Sequence, residues 1–148
     1  MILTTTFDKL KLAGACGQKV GCGKGYDKLA QYLGGASKYG KNTPINLLTI
    51  LDSNGWDDCL WCLRATVEPL GDVPYRIATD IAEFAIKEAK KNYSDPAFKQ
   101  WADDWLSGKD RSAWEAARAA MAARAARAAE WAPEADDQIN AIIKRHLN

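Results

Sequence analysis

Residues 110–132 read DRSAWEAARAAMAARAARAAEWA, and this stretch decides the predicted fold. Ser112 and Glu115 match the S-x-x-E capping box that marks the start of a helix. Alanine and arginine favour the helix, and neither glycine nor proline occurs before Pro133. At about 100° per residue, small and aromatic side chains fall on one stripe: Trp114, Ala117, Met121, Ala125, Ala128 and Trp131. We therefore predict a central helix that its neighbours approach closely.

The rest of the chain also shows helical spacing, and no segment has the period-two alternation of a strand. Residues 4–6 are three threonines that can cap a first short helix. Residues 43–44, Thr-Pro, are expected to begin another helix, with proline at its first position. Asp52 to Gly55 reads as a turn, and Asn54 with Asp57 can cap the next helix. One apolar row predicts that next helix: Trp56, Cys59, Leu60, Leu63 and Val67.

These patterns predict an all-α protein, a compact helical bundle of seven or eight helices around the Ala/Arg-rich helix. Residues 68–74, EPLGDVP, break the helical pattern with two prolines and a glycine. We place the internal boundary there. The prediction is an N-terminal helical module over 1–68 and a C-terminal helical bundle over 75–148, sharing one core.

Length and composition point to a water-soluble globular chain. The 148 residues are 47% hydrophobic and 26% charged, which is ordinary for that class. No apolar run reaches the length of a membrane span, and the first residues lack the basic leader of a signal peptide. We therefore expect a cytoplasmic protein without membrane contact, whose four cysteines are reduced.

The cysteines allow a weaker zinc interpretation. Cys16 and Cys22 lie in a glycine-rich loop, and Cys59 and Cys62 form a C-x2-C pair. Four thiolates could bind zinc tetrahedrally. However, the C-x2-C pair lies within a helical pattern rather than on a knuckle, so we favour thiols without metal.

No catalytic constellation or cofactor motif emerges from the other reactive residues. The GCGKG segment at 21–25 lacks the Ser or Thr that must follow the lysine of a phosphate loop. His146 is the only histidine, and the spacing places it within the last helix. We expect neither an enzyme nor a bound cofactor.

Charge is unevenly distributed along the chain. Residues 1–43 carry seven Lys and two Asp, a net +5, whereas residues 44–110 carry seven basic and twelve acidic residues, a net −5. The two segments either attract each other or are simply solvated by water; alternatively, the acidic segment forms a patch that meets a basic partner. The lysine-rich third, interleaved with Tyr26, Tyr32 and Tyr39, keeps a nucleic-acid-binding accessory protein as the alternative function.

The arginines of the central helix suggest either an internal network or a binding surface. Arg118 and Arg124 flank the alanine stripe, and a buried arginine needs a carboxylate. Carboxylates on the preceding helices could serve: Asp80, Glu83, Asp103 or Asp104. Alternatively, the arginines contact an acidic partner surface. The candidate partner-binding residues are Arg118, Arg124, Arg127, Asp103, Asp104 and Trp61.

Residues 75–147 resemble bacterial immunity proteins that are encoded beside toxins and also occur in phage genomes. Three motifs carry this resemblance: RIATDIAE at 76–83, WLSGK at 105–109 and AARAAMAARAARAA at 116–129. Residues 7–65 are similar to an N-terminal module of phage-encoded proteins, through three further motifs: FDKLKLAGAC at 7–16, TPINLL at 43–48 and NGWDDCLWCLRA at 54–65.

The resemblance implies a non-enzymatic helical protein that neutralises another protein by binding it. A phage context implies a bacterial defence effector as the target, such as a CRISPR complex, and a toxin locus implies a cognate toxin. Either target places the protein in the cytoplasm of a bacterial cell. No catalytic residues come with the resemblance.

Overall fold

A computed structural model describes residues 2–15, 24–92, 94–109 and 132–148. These residues form eight α-helices, one 3-10 turn and a two-stranded ladder, so the all-α prediction is confirmed. The central helix predicted over 110–132 lies outside the described residues except for its last position. Arg118, Arg124 and Arg127 lie there as well, and so do Cys16 and Cys22.

The chain divides into two compact units. The first comprises Met1–Gly71 with Ile143–Asn148, and the second comprises Asp72–Ile142. The division along the chain falls within the predicted breaker segment, whereas the last six residues group with the first unit. The two modules over 1–68 and 75–148 with one shared core stay a prediction.

The first unit contains most of the short elements. In chain order they are β1 (Thr4–Thr5), α1 (Phe7–Leu12), α2 (Gly25–Tyr32), α3 (Ala36–Tyr39), β2 (Ile45–Asn46), α4 (Leu47–Asn54), α5 (Trp56–Cys62) and the 3-10 turn Leu63–Ala65. The second unit holds α6 (Val73–Asn92) and α7 (Pro96–Leu106), together with most of α8 (Ala132–Leu147).

The ladder between β1 and β2 was not predicted. Thr4 pairs with Asn46 and Thr5 with Ile45, in antiparallel register. The helix expected to begin at residues 43–44 begins instead at Leu47, where the Asn46 side chain accepts a hydrogen bond from the Leu48 N–H. Asparagine is a strong helix cap, and the extended backbone before it is free to pair as a strand.

The other edge of β1 is covered by residues 65–68. The Thr4 N–H and hydroxyl donate to the two carboxylate oxygens of Glu68 at 2.6 and 2.7 Å. The Thr5 hydroxyl donates to the Ala65 carbonyl, and the Val67 N–H donates to the Thr4 carbonyl. The apolar row predicted from Trp56 to Val67 is therefore wrong at its last position. Helix α5 ends at Cys62, and Val67 is 48% exposed rather than packed inward.

Aromatic side chains join the helices of the first unit. The buried Phe7 ring contacts Tyr26 and Tyr39 edge-to-face, at centroid distances of 5.2 and 6.2 Å. Thr6 caps α1 as predicted, accepting a hydrogen bond from the Lys9 N–H. Helix α4 packs against both α2 and α5, which brings three helices to one side of the core.

The second unit has its own apolar cluster between α6 and α7. The sequence Asp95-Pro96, a capping residue followed by proline, predicts a helix start, and Asp95 caps α7 with its carboxylate accepting from the Ala97 N–H at 3.0 Å. The spacing of Phe98, Trp101, Ala102 and Trp105 predicts one apolar face for this helix, and that face is confirmed. Its cluster consists of Ala82, Ile86, Ala102 and Trp105, with Phe98, Trp101 and Leu106 against it.

None of the helices in the described ranges is long and apolar enough to cross a membrane.

The Thr4–Glu68 contact makes stability depend on pH. Desolvation alone would raise the pKa of Glu68, but the hydrogen bonds from Thr4, aided by Lys9, lower it below its usual value. A depressed carboxyl pKa contributes stability above the unfolded pKa, and that contribution is lost as pH falls through the folded pKa. Glu68→Gln should therefore lower the free energy of unfolding at pH 7 by about 1–2 kcal/mol, and by much less at pH 3.

Urea melts at both pH values measure this difference. Asp72→Asn is the control, because that carboxylate is 72% exposed in a surface pair with Arg76 and should change stability by less than about 0.5 kcal/mol. An equal loss at pH 3 and pH 7 would show that Glu68 acts through packing rather than charge.

The apolar cluster of the second unit predicts strict size limits at Ala102. This side chain is fully buried between α6 and α7, so Ala102→Leu should overpack the cluster and cost about 1–3 kcal/mol. Ala97 is on the same helix but exposed, and Ala97→Leu should cost less than about 0.5 kcal/mol. Thermal melts of both variants give the comparison, and equal stabilities would contradict this packing.

Candidate functional site

A cavity of about 200 Å³ opens in the first unit, beside α5. We call it the Asp58 pocket. It is lined by Leu10, Ala15, Gly25, Tyr26, Leu29, Ile50, Asn54, Asp58, Trp61 and Cys62. The walls are mainly apolar or aromatic, and Asp58 is the one charged residue among these ten. Concave apolar sites with a few polar groups are typical of ligand binding.

The side chain of Asn54 holds one wall of this pocket together. Its amide nitrogen donates to the Gly25 carbonyl at 2.7 Å and to the Asp58 carboxylate at 2.8 Å. The Ser53 hydroxyl donates to the amide oxygen of Asn54 at 2.7 Å. The network therefore links the start of α2, the end of α4 and the first turns of α5.

This role differs from the predicted one. The sequence suggested a turn over Asp52 to Gly55 in which Asn54 caps the following helix, but α4 continues through Asn54. Gly55 alone separates the helices, with a φ of 97° that favours glycine. Because α5 starts directly after Gly55, the Asn54 amide faces Gly25 and Asp58 instead of capping.

Gly25 is required by the close approach of Asp58. A Cβ atom at position 25 would lie 2.5 Å from Oδ2 of Asp58 and 3.0 Å from its carboxyl carbon. Both distances are shorter than van der Waals contact. The Asp58 oxygen cannot move away without weakening its bond to Asn54, so an added methyl group would disturb the network.

Trp61 and Arg64 form a pair at the surface beside the pocket. The Arg64 guanidinium lies over the Trp61 ring at 4.9 Å, and its Nε donates to the Trp61 carbonyl at 3.1 Å. Trp61 is half-buried, and Arg64 is exposed. A cation–π contact combined with a hydrogen bond orients both side chains before any partner arrives.

The thiols of α5 are poorly suited to nucleophilic chemistry. Burial, with a smaller contribution from the Asp52 carboxylate, raises the pKa of Cys59 to about 12, and its Sγ contacts the Leu47 carbonyl at 3.4 Å. Burial likewise raises the pKa of Cys62 to about 12, helped by Cys59 and Asp58 and opposed by Arg64. The thiolate, not the thiol, is the nucleophile, so both buried side chains pack as small apolar groups.

Metal-ligating side chains do not gather elsewhere in the part of the chain that the structure describes: no group of three or more His, Cys, Asp or Glu residues could hold an ion there. Cys16 and Cys22 of the zinc alternative lie outside that part.

The predicted partner-binding residues fall in different units. Trp61 belongs to the first, whereas Asp103 and Asp104 are on α7 in the second. Asp103 pairs with Lys90, and Asp104 pairs with Lys109 at 3.3 Å. These local partners satisfy part of each carboxylate's charge. The predicted contacts of Arg118, Arg124 and Arg127 remain predictions.

Sequence reasoning missed Tyr26, Asn54 and Asp58 as residues of one pocket. Asn54 and Asp58 are four residues apart, but they belong to different helices because Gly55 separates α4 from α5. Helical spacing therefore gave no signal for their contact, and the contacts of both residues with Gly25 join positions far apart in the chain.

Comparisons with protein-family models, with curated proteins and with solved structures return no match for this chain.

The contact between Gly25 and Asp58 predicts a strong coupling between the two positions. Gly25→Ala should lower the free energy of unfolding by about 1–3 kcal/mol, because the methyl group meets the carboxylate. In an Asp58→Ala background the same change should be neutral or stabilising, since alanine favours a helix over glycine by about 0.5–1 kcal/mol.

A double-mutant cycle measured by chemical denaturation isolates this coupling. The control is Ala30→Gly on α2, which lowers helix propensity at a half-buried position outside the pocket lining. Gly34→Ala is unsuitable as a control, because Gly34 has a φ of 79°. Additive effects of Gly25→Ala and Asp58→Ala would contradict the close approach.

Proposed function

We propose that this protein is a non-enzymatic, protein-binding inhibitor that blocks the working surface of a bacterial protein. The class of target, a defence effector such as a CRISPR complex or a cognate toxin, comes from the sequence resemblance over 75–147 and 7–65. The proposed contact centres on Trp61 and Arg64. Their arrangement at the surface of the first unit is the observation that carries the proposal.

Trp61 and Arg64 have the properties of an interface hot spot. Tryptophan and arginine are enriched among residues whose truncation costs the most binding energy. The ring and the guanidinium already lie 4.9 Å apart, and the Nε hydrogen bond restrains the arginine further. A side chain that is ordered before binding loses less entropy on binding, so this pair can contribute more affinity.

The backbone beneath this pair is held on several sides. The Asn54 side chain ties Asp58 to the start of α2, and the Cys59 thiol contacts the Leu47 carbonyl on α4. Helix α5 is therefore anchored at Asp58 and Cys59, three and two residues before Trp61. A fixed helix that presents Trp61, followed by a 3-10 turn that presents Arg64, suits steric blockade, which requires occupation of a partner's surface and no chemistry.

Nucleic-acid binding, the alternative function, has partial support. All six described lysines of the first 43 residues are exposed: Lys9, Lys11, Lys24, Lys28, Lys38 and Lys41. However, the Tyr26 and Tyr39 rings pack against Phe7, and of the three tyrosines Tyr32 is the one that is mostly exposed, at 60%. Base stacking needs open aromatic faces, so protein binding is the stronger proposal.

The proposal predicts that Trp61 and Arg64 are required for binding to a partner captured from bacterial lysate and identified by mass spectrometry. With the purified partner, Trp61→Ala should raise the Kd by about 30-fold or more, the scale of a hot spot. Arg64→Ala should also weaken binding. Wild-type protein should inhibit the partner's activity at one-to-one stoichiometry, and thermal melts establish that each variant is folded.

Tyr75→Ala is the matched control, because Tyr75 is a half-exposed aromatic of the second unit and should leave the Kd within about threefold. Equal losses from Trp61→Ala and Tyr75→Ala would contradict the proposed surface. If DNA or RNA is recovered instead, and if its affinity for the protein falls steeply as the salt concentration rises, the alternative function would be favoured. Turnover of a substrate by the chain without a partner would overturn the non-enzymatic proposal.

A further inference from the structure

The Asp58 pocket has room for a small ligand. Its volume is about 200 Å³, and an engineered apolar cavity of roughly 150 Å³ in another protein is large enough for benzene. Leu10, Leu29 and Ile50 provide apolar surface, while Tyr26 and Trp61 provide aromatic walls. A ligand with a ring or a short hydrocarbon chain therefore fits both the size and the lining.

The charge of the pocket comes from Asp58. Within the described part of the chain this carboxylate takes part in no ion pair, and its hydrogen bond from Asn54 occupies one of about four lone-pair sites. Lys11 lies over the Tyr26 ring at 5.5 Å, and Arg64 lies over the Trp61 ring. Both cations are exposed, so water screens them more than it screens Asp58.

The pKa of Cys62 indicates that the electrostatic potential at the pocket wall is negative. After burial and Cys59, the Asp58 carboxylate raises the pKa of this thiol, and its effect is larger than the opposite effect of Arg64. The pocket-lining sulfur therefore lies in a field dominated by the carboxylate rather than by the guanidinium. A cationic group would be favoured at this wall, and an anionic group disfavoured.

We propose that the Asp58 pocket binds a small organic amine in its protonated form. The ammonium group donates to the Asp58 carboxylate, and the apolar part of the ligand lies between Tyr26 and Trp61. Charge-assisted hydrogen bonds of this kind are stronger than neutral ones. The site goes beyond the proposed inhibitor function, because a free amine binds without any protein partner.

Three probes of similar shape test the charge requirement on the wild-type protein. Phenethylammonium, phenethyl alcohol and 3-phenylpropionate are titrated separately while ¹H–¹⁵N NMR spectra are recorded. We expect saturable shifts at the Trp61 indole N–H and the Asn54 side-chain amide. The ammonium ligand should bind about tenfold more tightly than the alcohol, and the carboxylate should not bind measurably.

Asp58→Asn removes the charge and keeps an oxygen that can accept from Asn54, so it should reduce the affinity for phenethylammonium to that for the alcohol. Asp57→Asn is the matched control, since Asp57 is the exposed neighbour on α5 and does not line the pocket. It should change the affinity by less than about twofold. The comparison of the three probes needs no variant and holds whether or not Asp58→Asn folds.

Equal affinities for the three probes, tighter binding of the carboxylate, or shifts confined to residues away from the pocket would each overturn the amine site. These results are separable from a failure of the inhibitor function. If Trp61→Ala abolishes binding of a protein partner and Asp58→Asn retains it, the inhibitor function is supported. The amine titrations use no protein partner, so their outcome is independent of that result.

Discussion

The side-chain amide of Asn54 is the interaction on which the first unit's candidate site depends. The side-chain nitrogen of Asn54 has two N–H groups. One donates to the Gly25 carbonyl at the start of α2, and the other donates to the Asp58 carboxylate on α5. Because Gly25 has no side chain, the carboxylate can approach the backbone closely enough to share this donor. A single asparagine therefore sets the spacing of three helices around one cavity.

A second constraint on the first unit is the pair of hydrogen bonds between Thr4 and Glu68. Glu68 accepts two hydrogen bonds from Thr4, which ties the chain after the 3-10 turn to the short strand β1. Strand pairing with Ile45 and Asn46 occupies the opposite edge of β1, and Asn46 then caps α4. Short polar contacts, rather than a long sheet, thus join the segments of this helical unit.

The two proposals meet at Trp61 and differ in the charged group that each uses. The inhibitor surface relies on the guanidinium of Arg64 over the ring, while the amine site relies on the carboxylate of Asp58 within the pocket. The Arg64 guanidinium lies over the Trp61 ring, whereas Asp58 shares only the lining of the pocket with that ring. The high pKa of Cys59 and Cys62 fits this division, because buried neutral thiols add apolar surface without competing chemistry.

Local sequence patterns were enough to predict the helical class, the caps at Thr6 and Asp95 and the apolar face of α7, because these depend on residues within one or two helical turns. The β1–β2 ladder and the Asp58 pocket, in contrast, follow from contacts between separate segments of the folded chain. A ladder of two residues per strand is too short to show alternation, and the contact of Gly25 with Asp58 joins positions far apart in the chain. Local periodicity cannot report such contacts, since they arise when separate helices pack.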